Sequence, residues 1–262
     1  LLATSNYRVA GMGNKVPGAT LVFWAIKIMA TTVGETGADY LAVHVGLGTA
    51  LTGAMMLTLL IAALTGQLRM RKYEPWIYWL TVVLVSVVGT QITDALTDKL
   101  GVGLQYSTIA FSLALAVVFA LWYRSERTLS IHTIYTTRRE LFYWATVLFT
   151  FALGTAAGDL ATEALGLGFM LGAVVFGSLI ALVCVAFYVG ANPVLTFWLA
   201  YILTRPLGAA FGDLLSQSRA YGGVGLGTIN TSVLFLSAIV VLVIFASVVE
   251  KRSVNAVAVR ES

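Results

Sequence analysis

The chain has 262 residues, of which 59% are hydrophobic and 11% charged, with a formal net charge of +4. Soluble domains carry about 25% charged residues, so this composition, with a mean hydropathy of +0.89, excludes an ordinary soluble domain and predicts an all-α integral membrane protein with little outside the bilayer. The basic balance does not call for nucleic acid, because the basic residues sit in short loops between apolar stretches, where orientation in the membrane accounts for them.

A membrane-spanning helix needs about 20 mostly apolar residues. Eight stretches qualify, roughly 17–38, 49–67, 75–97, 104–123, 140–162, 169–190, 193–215 and 228–249. The apolar material runs the whole length, and the first stretch carries Lys27, Glu35 and Asp39, so a cleavable signal peptide is not expected. The eight spans group into a single membrane domain of four two-helix repeats, approximately 15–67, 73–123, 138–190 and 192–249, followed by a short cytoplasmic tail, 251–262. Pro17, Pro75 and Pro193 stand near the start of three first helices, where a missing N–H costs nothing. The longest polar stretch, around 124–139, is expected to be a solvated loop, with lipid headgroups as its alternative contact. Cys184 is expected to be a small apolar packing residue.

Each first helix carries the same signature: an aromatic residue and Trp, Gly ten residues later, and Asp five residues after that. The copies are Phe23-Trp24/Gly34/Asp39, Tyr78-Trp79/Gly89/Asp94, Tyr143-Trp144/Gly154/Asp159 and Phe197-Trp198/Gly208/Asp213. A self-similar mark at a fixed period identifies a repeat architecture. Trp and Asp are about 22 Å apart along a helix, which places the four carboxylates in the outer third of a hydrocarbon core about 30 Å thick. The glycines are expected to allow close helix crossing, and Trp24, Trp79, Trp144 and Trp198 to serve as belt and packing residues.

Basic residues set the orientation. With a cytoplasmic N-terminus, Arg8, Lys15, Arg69, Arg71, Lys72, Arg124, Arg127, Arg138, Arg139, Lys251, Arg252 and Arg260 face the cytoplasm and only Lys99 and Arg219 face out. The positive-inside rule then predicts eight spans with both termini inside, and two helices per repeat make the four repeats parallel.

Ionisable groups within a span are costly and mark function by default. Glu35, Asp39, Asp94, Asp159 and Asp213 are the candidates for binding an ion or proton, the repeat Asp residues having a helix-end role as the alternative. Repeat one is the most polar, with Thr31, Thr32, Glu35 and Asp39, and residues four apart share a helix face. Oxygen ligands suit hard cations, so Glu35, Asp39 and Asp213 are candidate metal ligands. Lys27 and Arg205 break the repeat and are expected to compensate carboxylate charge, with snorkelling as the alternative for Lys27. Pro206 is expected to kink or open the seventh helix. His44 and His132 fall in loops on opposite sides and cannot share a site. No nucleophile triad, phosphate loop or cysteine metal motif is present, so neither an enzyme nor a cofactor is expected.

The repeat with its Trp, and the runs Ala30-Thr31-Thr32-Val33-Gly34-Glu35, Glu126-Arg127-Thr128-Leu129-Ser130-Ile131-His132 and Tyr201-Ile202-Leu203-Thr204-Arg205-Pro206-Leu207-Gly208, resemble the bacterial membrane-protein family defined by the DUF347 repeat. The resemblance covers residues 15–250 and implies four tandem two-helix repeats in a bacterial inner membrane. It implies no activity. From the residues themselves, the leading expectation is a transporter of a small cation, a divalent metal such as manganese ahead of organic cations, with proton exchange. The alternatives are a channel with an outer Asp ring and a non-transport sensor or assembly module. The partners expected are the lipid bilayer and the cation or proton; the sequence names no oligomeric state. A site, if present, is expected between the first and seventh helices.

Overall fold

The computed structural model describes residues 13–39 and 48–261. It is all-helical, with eight α-helices and no strand among the described residues: α1 Leu21–Asp39, α2 Gly48–Arg69, α3 Pro75–Asp94, α4 Leu104–Glu126, α5 Thr137–Asp159, α6 Gly168–Tyr188, α7 Pro193–Ser216 and α8 Gly227–Glu261. Seven are long and apolar enough to cross a membrane; the apolar part of α1 is the shorter stretch Leu21–Gly34. Local chemistry sets several boundaries. Pro193 occupies the first turn of α7, and the Asn192 side chain accepts from the Val194 and Leu195 N–H groups at 2.9 and 3.2 Å, an N-cap that satisfies two otherwise unpaired donors. Pro75 likewise stands in the first turn of α3, there without a side-chain cap. Pro17, by contrast, lies outside any helix, since α1 begins four residues later. At the other end of the chain, α8 continues from its apolar stretch, which ends at Val249, through the expected tail to Glu261.

The helices form two layers. The odd-numbered helices make a closed inner ring, α1 on α3, α3 on α5, α5 on α7 and α7 back on α1. The even-numbered helices lie outside, α2 against α3, α4 against α5, α6 against α7 and α8 against α1. Each outer helix thus packs on the first helix of the next repeat, and α8 closes the circle. Burial follows the layers: 67%, 61% and 61% of the spanning stretches of α3, α5 and α7 are buried, against 17% for each of α2, α4 and α6 and 11% for α8. The outer helices are apolar all round, which suits a surface facing lipid. Cys184 is on that exposed surface, not in the interior.

Equivalent positions of the inner helices meet at equal height, so these helices are parallel. A Cβ placed on Gly34 would lie 2.7 Å from the Ser86 Cβ; on Gly89, 2.7 Å from the Phe151 Cβ; on Gly154, 2.5 Å from the Arg205 Cβ; on Gly208, 2.7 Å from the Thr31 Cβ. Ser86, Phe151, Arg205 and Thr31 all stand three residues before the signature glycine of their own repeat. The same contact therefore recurs around the whole ring, and the expected role of the glycines in close helix crossing is what the packing shows.

One end of the bundle is closed by packed chain. The Gly13 N–H donates to Arg71 O, Lys15 N–H to Ile134 O, and Tyr73 N–H to Asn14 O. The Asn14 amide donates to Val16 O and Ile131 O, and its oxygen accepts from Ile134 N–H. Glu126 receives Arg139 at 2.8 Å and Arg138 at 3.5 Å, while Ile131, Ile134 and Glu140 are buried. The stretch expected to be a solvated loop is instead a folded cap. Phe245 and Val249 of α8 line a groove with Pro17, Tyr73 and Trp79, so the later half of α8 reaches the same end.

Candidate functional site

Residues four apart on each inner helix share one face, and here that face points along the ring axis as a stack of layers. The first layer, at the capped end, holds Phe23, Tyr78, Tyr143 and Phe197; the second Lys27, Val82, Val147 and Tyr201; the third Thr31, Ser86, Phe151 and Arg205; the fourth, through Thr90, Thr155 and Ala209, continues the column. All of these are buried except Phe197, which is partly so.

The first layer is an aromatic plug. The Tyr78 and Tyr143 hydroxyls share a hydrogen bond of 2.5 Å, and Phe23 packs on Trp24, Trp79, Phe197 and Tyr201. Trp79 donates to the Tyr73 hydroxyl at 3.1 Å and Trp198 to Leu129 O at 2.9 Å. Trp79, Trp144 and Trp198 are buried and Trp24 half-buried. Trp79, Trp144 and Trp198 pack in the protein interior, and Trp24 packs against it from a partly exposed position. Position in the sequence cannot separate a belt Trp from one turned inward at the same depth.

Two cations stand in the column. The Lys27 ammonium is 1% exposed and lies 3.9 Å from the centre of the Phe151 ring and 4.4 Å from that of Tyr201. It does not snorkel, and among the described residues no carboxylate or hydrogen-bond acceptor reaches it. Arg205, fully buried, donates from Nη2 to Thr90 Oγ1 and is within electrostatic range of Lys27. Glu35 occupies in α1 the position that Thr90 holds in α3; the side chains of Glu35 and Asp39 lie outside the described residues, as does His44.

Two threonine hydroxyls of α1 face backbone carbonyls of α7 across the α1–α7 seam. Thr31 Oγ1 lies 3.4 Å from Thr204 O, and Thr32 Oγ1 donates to Gly208 O at 2.9 Å. Pro206 sits inside α7, yet the helix runs unbroken to Ser216, so helix 7 does not open there. The irregular turns occur in α3 and α5, which pass directly from Asp94 and Asp159 into π-helical turns, Ala95–Lys99 and Leu160–Ala164. Such turns are frequent at functional sites. Asp94, Asp159 and Asp213 are half-buried, each with interactions of its own. Among the described residues no three of His, Cys, Asp and Glu gather as metal ligands, and His132 is exposed.

Sequence reasoning missed a buried polar cluster at the capped end. Lys15 Nζ pairs with Glu140 Oε2 at 2.6 Å and donates to Leu68 O at 3.1 Å, and the Gln67 amide donates to Glu140 Oε1 at 3.1 Å. Its signal was the run Glu126 to His132, whose backbone supports the cap.

A ring of four parallel helices, wrapped by four apolar ones and carrying a charged axial column, defines an all-helical protein of four tandem two-helix repeats, with seven helices among the described residues long and apolar enough to cross a membrane. The chain belongs to the family of the Repeat of Unknown Function (DUF347), whose model matches residues 22–73, 77–128, 142–191 and 196–252. No curated protein and no solved structure matches the chain.

Proposed function

We propose that the protein is a carrier of a small cation, exchanging it for protons through the inner ring, in a bacterial inner membrane with both termini cytoplasmic. The observation that carries this reading is the two-part column: a charged and hydroxyl-rich half toward the Asp end, closed by an aromatic plug at the capped end. Away from the capped end, where Arg138, Arg139 and Glu140 begin α5, the inner helices carry five carboxylates, Glu35, Asp39, Asp94, Asp159 and Asp213, and two cations, Lys27 and Arg205, a balance that favours positive cargo. A filled axis favours a carrier over a standing channel, since a channel needs a continuous wet path. Carboxylates that take up a proton as the ion leaves supply the coupling. The clustering of Lys15, Arg71, Lys72, Arg124, Arg138 and Arg139 at the capped end supports its placement in the cytoplasm.

The test is flux in proteoliposomes across a cation panel that includes Mn²⁺ and methylammonium, with and without a pH gradient. Asp39→Asn and Asp213→Asn should abolish flux while the protein still folds. Wild-type flux in both variants would sink the assignment.

A further inference from the structure

We propose that the slot between the Phe151 and Tyr201 rings, filled here by the Lys27 ammonium, is the seat of the carried cation, and that this cation is a monovalent small alkylammonium rather than a divalent metal. The transport half of this statement rests on the carrier reading above; the binding half does not.

The slot is built for an ammonium group. Two ring faces stand 3.9 and 4.4 Å from Lys27 Nζ, within the range of a cation–π contact, which gains strength where water is excluded. The amine is 1% exposed and has no hydrogen-bond partner among the described residues. A buried amine in that condition is costly unless its surroundings offset the lost hydration; the two rings are its contacts, and they must also offset the like charge of Arg205, which is within electrostatic range. Lys27 and Phe151 are both departures from the repeat: the first replaces Val82, Val147 and Tyr201, the second Thr31, Ser86 and Arg205. The two exceptions meet each other.

A divalent metal is held by six or more oxygens, with carboxylates among them, and two hydrocarbon ring faces do not supply these. A primary ammonium needs only what Lys27 already finds. Lys27 is thus a tethered occupant on a flexible stem. A free ammonium arriving from the Asp end takes its place, and the lysine returns when the cargo leaves.

The test is calorimetric titration of the purified full chain in detergent with methylammonium chloride, and with manganese chloride as the metal probe. Lys27→Ala vacates the slot and should bind methylammonium at least about tenfold more tightly than wild type. Adding Phe151→Leu should remove about tenfold, on the order of one desolvated cation–π contact. Lys27→Met, which refills the slot with an apolar chain, should show no gain, and manganese heats should not respond to any of these changes. In the wild-type background Phe151→Leu alone should also weaken methylammonium, which keeps the test open should Lys27→Ala not fold. Equal methylammonium affinity in wild type and folded Lys27→Ala, or indifference to Phe151→Leu, overturns the proposal. Binding as expected without methylammonium flux in proteoliposomes keeps the seat and sinks its cargo role together with the carrier reading for this ion; manganese flux without methylammonium binding keeps the carrier and sinks the seat.

Discussion

Gly208→Ala tests the ring at the point where repeat four closes on repeat one. The added Cβ would fall on the Thr31 hydroxyl, 2.7 Å from Thr31 Cβ and 2.9 Å from Ile28 O. Carbon atoms pack at about 3.5–4.0 Å, so α1 and α7 must part by about 1 Å, because a backbone carbonyl cannot turn aside as a side chain can. Overpacking of this kind costs about 1–3 kcal/mol. The separation also strains the Thr32 hydrogen bond to Gly208 O, worth about 1 kcal/mol. Alanine returns at most about 1 kcal/mol of helix propensity, and less where helices persist in the detergent-unfolded state. The net expectation is a loss of about 2 kcal/mol. Gly53→Ala is the control: it lies inside α2 with nothing within 4 Å of the new Cβ, and should fall between neutral and about 1 kcal/mol more stable. Unfolding of both variants by sodium dodecyl sulfate in mixed micelles measures the difference. A Gly208→Ala protein as stable as Gly53→Ala would refute the close-packed seam.

Two further expectations follow from the capped end. Lys15→Met leaves Glu140 buried and unpaired, which should cost about 3–5 kcal/mol, while Lys15→Met/Glu140→Leu should recover most of it; the exposed pair Lys72–Glu74, at 3.6 Å, should give less than about 1 kcal/mol on the same substitution, all read by thermal unfolding in detergent. A reporter fused after Ser262 that is active only outside the cytoplasm should stay silent, and activity there would reverse the proposed orientation.

Seven of the helices were legible because their apolar stretches are long, and α1, whose apolar part is shorter, because it carries the same signature; the signature glycines were legible because one steric demand, the approach of a neighbouring Cβ, recurs at Gly34, Gly89, Gly154 and Gly208. Which helix packs on which was not legible. An outer helix that is apolar all round has no stripe to show its partner, so nothing in α2 reveals that it sits on α3. The folding of the stretch from Glu126 to Glu140 was hidden for the opposite reason: its polar residues read as solvated, and only their partners, Asn14, Lys15 and Gln67, turn them inward.

The departures from the repeat were the better guide to the site. A repeat explains a residue by symmetry and so masks any special role; a break in it must be explained by what it touches. Lys27 breaks the second layer and Phe151 the third, and they touch. Arg205 breaks the third layer beside Thr90, the position that repeat one fills with Glu35. The hallmark runs Ala30–Glu35 and Tyr201–Gly208 face each other across the α1–α7 seam through Thr31 and Thr32, the seam where a site was expected. Symmetric positions therefore build the ring, and the asymmetric ones concentrate charge on its axis.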